Sequence, residues 1–203
     1  MKTSRNFVYN QTRSRIIWIS KESISCCKGN IYDFIYKMKL TKTTPEVLAF
    51  KVLWKRIDQV WVDWAVAMLM AGYDTEHLRI LAWETEPFYQ FEMQNIIDKV
   101  LTELQIDCSD KDKIIKDYVC YLIDKSFDGE IESLELLNIL KDLFIELELN
   151  CDYLYGFYLL YFAKDDLLDS EYQYHWDGGT RENIDKIITD YFVTWKATYF
   201  AGE

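Results

Sequence analysis

Residues 124 to 135 read DKSFDGEIESLE, and their oxygen-bearing side chains recur at the spacing a hard cation demands. Asp124, Ser126 and Asp128 stand at positions 1, 3 and 5 of a calcium loop of the EF-hand type. Gly129 at position 6 permits the sharp turn, Glu130 at position 7 offers its carbonyl, and Glu135 at position 12 can close the shell with two oxygens. Calcium is the one cofactor this chemistry suggests. Such loops usually come in pairs, and the nearest second stretch, DCSDKDKII, lacks the glycine. The competing reading is a plain helix-turn-helix in which Asp128-Gly129 ends one helix and leads into the next.

A second stretch, EYQYHWDGGT at residues 171 to 180, gathers Tyr172, Tyr174, His175, Trp176 and Asp177 in a segment whose Asp-Gly-Gly makes a turn. Tyrosine and tryptophan anchor protein interfaces, so this loop is the candidate partner-binding surface. The alternative is that Tyr174 and Trp176 fold back to cover helix ends. No catalytic residue is assigned. The two histidines, His77 and His175, belong to no H-E-x-x-H pattern, and the chain has no glycine-rich phosphate loop and no G-x-S-x-G. Asp165 and Asp166 are adjacent, so on a helix they point about 100° apart and do not converge on a substrate.

The elements that must position these stretches read as helices. Seven glycines and two prolines in 203 residues, half of them hydrophobic, argue against the many turns of a sandwich or barrel. Thr44-Pro45-Glu46 starts a helix predicted to run to about Ala71, ended by Gly72. Asp74-Thr75 opens a short helix through Trp83, and Thr85-Glu86-Pro87 leads into FYQFEMQNIIDKVLTEL. Segments 110–123, 131–149, 153–168 and 181–200 show apolar residues at three-to-four spacing. The expected fold is all-α, about seven helices in successive hairpins, an irregular bundle or stack.

Within the first helix, Leu53, Trp54, Ile57, Trp61, Trp64, Ala65 and Met68 share one face, with Leu78, Leu81, Ala82 and Trp83 returning against it. This is expected to be core. The pattern Trp64-Ala65, Met68-Leu69, Gly72-Tyr73-Asp74-Thr75, Leu78, Ile80-Leu81-Ala82, Pro87 and Phe91-Glu92 resembles small bacterial all-α proteins, some of them similar to immunity proteins of toxin loci. The resemblance spans residues 64 to 92 and implies a non-enzymatic binding role, with no catalytic residues to carry over.

Charge divides the chain. Residues 1 to 60 carry 12 Lys and Arg against 4 Asp and Glu, and residues 61 to 203 carry 11 against 30. So acidic a body repels phosphate backbones and fits a basic protein partner, not nucleic acid. Residues 1 to 37 form a basic N-terminal extension, either a transit-type segment or sequence upstream of a true start at Met38, before an acidic domain at 38 to 203. Five cysteines without a C-x-x-C fit a reducing cytoplasm. No apolar run approaches the ~20 residues of a membrane span.

Overall fold

The computed structural model describes residues 40–201, and the extension expected at 1 to 37 lies outside the described residues. All regular structure among the described residues is helical: α1 (Thr44–Val52), α2 (Gln59–Met70), α3 (Glu76–Trp83), α4 (Gln90–Glu103), α5 (Lys111–Phe127), α6 (Ser133–Glu146), α7 (Asp152–Asp169) and α8 (Ile184–Ala201). The all-α expectation holds. None of these helices is long and apolar enough to cross a membrane.

The helix expected to run unbroken from Thr44 to Ala71 is two helices, and the break explains the eighth element. The chain leaves α1 through Trp54, whose φ is +55°. The Trp54 N–H donates to the Lys51 carbonyl at 3.2 Å, and the Lys55 N–H reaches back to Phe50 at 3.0 Å. This is the pairing that ends a helix through a left-handed residue, a place glycine usually takes. Asp58 then restarts the helix, its carboxylate accepting from the Val60 N–H at 3.1 Å. Gly72 (φ +96°) and Gly129 (φ +75°) end α2 and α5 in the way their sequence positions suggest.

Two apolar cores form. One gathers Trp61, Trp64, Ala65 and Met68 of α2 with Leu78 and Leu81 of α3 and Met93, Ile97 and Val100 of α4. The other is built from α5 to α8, around Val119, Leu136, Leu140, Leu160, Phe157 and Phe192. Helix α1 serves both, with Val47 buried in the first and Ala49 in the second. Trp64 is the anchor of the first core: it is 1% exposed, and its indole N–H donates to the buried Thr44 hydroxyl at 3.0 Å. Trp61 meets it edge to face, ring centres 6.1 Å apart.

Two members of the expected tryptophan stripe leave the core. Trp54 is 82% exposed because the helix ends before it, and Trp83 is 84% exposed. The reason for Trp83 is helical phase. Leu78 and Leu81 face inward, and a residue two places beyond Leu81 points about 200° away from it.

Candidate functional site

The cation-spaced stretch is mostly helix. α5 continues to Phe127, four residues past its expected end, so Asp124 and Ser126 lie on the helix and the turn proper is only Asp128 to Glu132. The four-residue difference follows from Lys125, Ser126 and Phe127, none of which breaks a helix. Lysines already face two of the candidate ligand carboxylates, those of Asp124 and Asp128, and the side chain of Glu130. Lys196 of α8 pairs with Asp124. Lys42 places its ammonium 2.8 Å from Asp128 and 3.0 Å from Glu130, and these bonds hold its pKa well above the usual lysine value. Glu135 stands exposed in the first turn of α6, on the far side of the turn.

The loop between α7 and α8 is held from within by Gln173. Its Oε1 accepts from the His175 and Trp176 N–H groups, both at 2.8 Å. Its Nε2 donates to the Trp176 carbonyl at 2.5 Å and the Gly179 carbonyl at 3.0 Å. Asn183 adds a second clasp, accepting from Thr180 N–H at 2.7 Å and donating to the Gly178 carbonyl at 2.9 Å. One glutamine thus fixes the backbone that the aromatic residues ride on.

The five candidate residues divide by direction. Tyr174 is 94% and Tyr172 73% exposed, and Asp177 is exposed. His175 lies against the Phe162 ring, centres 5.4 Å apart, with Nε2 3.4 Å from Asp166. Trp176 turns inward and meets Tyr191 edge to face at 5.5 Å, half-buried against the second core. The two expectations for this loop therefore both hold, each for different residues: Trp176 covers the helix ends, and the tyrosines face solvent.

Trp176 reaches the core through a notch. Tyr191 of α8 packs so closely over Gly156 of α7 that a Cβ there would lie 2.0 Å from the tyrosine oxygen. The loop, Tyr191 and Phe157 (ring centres 5.0 Å from Tyr191) form one packed stack.

A second group of exposed aromatics was not expected: Trp54, Trp83, Tyr89 at 67% and Phe91 at 80%. The signal for Phe91 was present in the helical phase of α4, whose buried residues Met93, Ile97, Val100 and Leu101 leave position 91 on the outer side. Gln90 joins two of the segments that carry them. Its side chain pairs with Ile57 twice, accepting from the N–H at 2.8 Å and donating to the carbonyl at 2.9 Å. This ties the α3–α4 connection to the segment between α1 and α2. Residues of both segments line a cleft of about 640 Å³ formed by Arg56, Ile57, Asp58, Glu86, Pro87 and Phe88.

At the opposite end of the α3–α4 hairpin, Glu103 holds the start of α3. Its carboxylate accepts from the His77 N–H at 3.1 Å and lies 2.5 Å from His77 Nδ1. The Thr75 hydroxyl and then His77 draw the Glu103 pKa down to about 2. A second cleft, about 610 Å³ between α5, α7 and α8, includes Lys116, Tyr153, Trp195 and Tyr199. There Lys116 sits 4.9 Å over the Tyr153 ring, and the Trp195 indole donates to the Tyr153 carbonyl at 2.9 Å.

Comparison with protein families, curated proteins and solved structures gives no match for this chain. Function is therefore argued from its own surfaces.

Proposed function

We propose that this chain is a non-enzymatic, acidic helical binding protein, of immunity or inhibitor type, that docks a basic protein partner on the Tyr172–Asp177 loop. The observation that carries the reading is the contrast inside that loop. Two large aromatic side chains stand almost free of the protein on a backbone pinned by Gln173. Exposed rigid tyrosines lose little conformational freedom on binding and add large contact area. The acids around them, Asp166, Asp169, Glu171 and Asp177, favour a partner of opposite charge.

Affinity capture from host lysate tests this when wild type and Tyr172→Ala/Tyr174→Ala are run side by side. One basic protein should be held by the wild type and lost from the variant, with the variant's melting temperature unchanged. Its association rate with the wild type should fall as ionic strength rises, because screening shortens the reach of complementary charge to ~10 Å at 0.1 M salt. A partner held equally by both proteins, or one that is itself acidic, would sink the reading.

A further inference from the structure

We infer that the exposed aromatic end formed by Trp54, Trp83 and Phe91 is a second docking face, and that its occupant is an arginine-bearing segment of another protein. The inference goes beyond the loop but rests on the same expectation of a basic partner.

Residue choice argues first. Trp54 occupies a left-handed position, φ +55°, at the end of α1, where glycine is favoured and a bulky side chain is strained. Its side chain is 82% exposed. Gln105 and Glu148 end α4 and α6 with nearly the same φ, so the backbone alone does not set this end apart; the exposed tryptophan does, since it serves neither the turn nor the core. Trp83 and Phe91 repeat the theme on α3 and α4, each on the side of its helix turned away from the buried stripe.

Geometry argues next. Trp83 and Phe91 flank a short connection, at the end of the α3–α4 hairpin opposite the His77–Glu103 contact. The doubly bonded Gln90–Ile57 pair brings that connection against the segment that carries Trp54. The cleft lined by Ile57, Asp58, Glu86 and Phe88 lies at the junction of the two segments.

Charge then selects the occupant. Glu84, Glu86 and Glu92 are interleaved with Trp83 and Phe91, and Asp58 faces the cleft; of the cations beside Trp54, Lys51 and Lys55 are paired with Asp98 and Glu146, which leaves Arg56 as the opposing charge. An aromatic face attracts a cation, and a planar guanidinium can stack on it while pairing with a neighbouring carboxylate. Lys51, paired with Asp98 at 2.5 Å, has its ammonium 5.9 Å from the Trp54 ring centre. An ammonium is more strongly hydrated and does not stack, so arginine should be preferred over lysine.

The test titrates fluorescein-labelled nona-arginine and nona-lysine peptides into the full chain. The arginine peptide should bind about tenfold more tightly, a difference of about 1.4 kcal/mol. Trp54→Gly/Trp83→Ala/Phe91→Ala should remove that preference, and Trp54→Gly alone should leave the melting temperature unchanged or raise it. Should the triple variant unfold early, Trp83→Ala/Phe91→Ala, both at exposed helix positions, repeats the measurement. Equal affinity for the two peptides, or a preference that survives these changes, overturns the inference. A preference lost instead in Tyr172→Ala/Tyr174→Ala overturns this face and leaves the loop reading standing. No binding of either peptide overturns this face and leaves the loop reading to its own capture experiment. A chain that sediments as a dimer, and becomes monomeric in the triple variant, also overturns it, since a second copy would then cover the face.

Discussion

The α2–α4 region and the α5–α8 region are both rich in aromatic residues, yet they use them in opposite ways. In the first, two tryptophans fill the centre while Trp83 and Phe91 stand outside on regular helices. In the second, Phe157, Tyr191, Phe192 and Trp195 interlock between helices, and the most exposed rings, Tyr172 and Tyr174, sit on an irregular loop. The difference teaches that aromatic content alone does not mark an interior. Phase within the helix does: Trp83 and Phe91 each lie two residues from a buried position, Leu81 and Met93, at the edge of a one-sided helix, and face solvent.

Substituting tryptophans gives the largest test of that contrast. Trp64→Ala should lower unfolding free energy by about 3–5 kcal/mol, since it leaves a cavity and removes one of the two hydrogen-bond partners of the Thr44 hydroxyl, the other being Thr41. Trp83→Ala, in the neighbouring helix, should change it by less than about 0.5 kcal/mol, as expected for an exposed site. Urea denaturation measures both. Similar losses would erase the distinction between the two kinds of tryptophan.

In the second region the sensitive point carries no side chain. Gly156→Ala should cost about 1–3 kcal/mol, because the new methyl group meets Tyr191 and must push α7 and α8 apart. The same substitution should alter the near-ultraviolet dichroism of Trp176 and Trp195, both packed in that stack. An unchanged melting curve would show that the interlocking is looser than in the tryptophan core.

Acid should act on the first region through Glu103. Its carboxyl titrates at about 2, against an ordinary 4.5, so above pH 4.5 the charged form contributes its full stabilisation. Below that the unfolded chain binds the extra proton, and the contribution falls away as pH drops from 4.5 towards 2. Glu103→Gln should flatten the pH dependence of stability in that window, and carbon-detected NMR should find the depressed titration directly. A Glu103 that titrates at 4.5 would contradict the geometry at the start of α3.

The smallest expected effect is that of calcium. With Lys42 across Asp128 and Glu130, and Lys196 on Asp124, millimolar calcium should leave the melting temperature unchanged. A rise abolished by Asp124→Ala and by Glu135→Gln would show that the cation displaces the lysines.

Much of the scaffold was legible in the sequence because its signals are local. Thr44-Pro45 and Gly72 mark ends that the structure keeps within a residue or two, and Asp128-Gly129 stands where α5 ends, four residues beyond its apolar pattern. The break after Val52 was not legible, since its left-handed residue is a tryptophan; Gln105 and Glu148 end α4 and α6 in the same unmarked way. Glycine advertises such a turn, and these residues do not. The tyrosine loop could be found from composition, but the inward turn of Trp176 depends on Gly156 and Tyr191 in two other segments. The lysines over the acidic turn lie 72 and 86 residues from their partners, beyond any local pattern. Exposure of Trp83 and Phe91 was readable from phase, and was obscured by the general tendency of large rings to be buried.

Helix α1, lodged in both cores, bears on the order in which the chain comes together. Pairs α2–α3 and α3–α4 join neighbours in sequence, so their closure needs only short loops. The docking of α1 on α5, by contrast, brings together residues such as Glu46 and Tyr121, 75 positions apart. Long closures gain nothing until both ends meet, which makes this seam a non-local contact that restrains folding speed. Truncating Ala49 to Gly or Val47 to Ala should therefore slow refolding, whereas truncations within α3 should chiefly hasten unfolding.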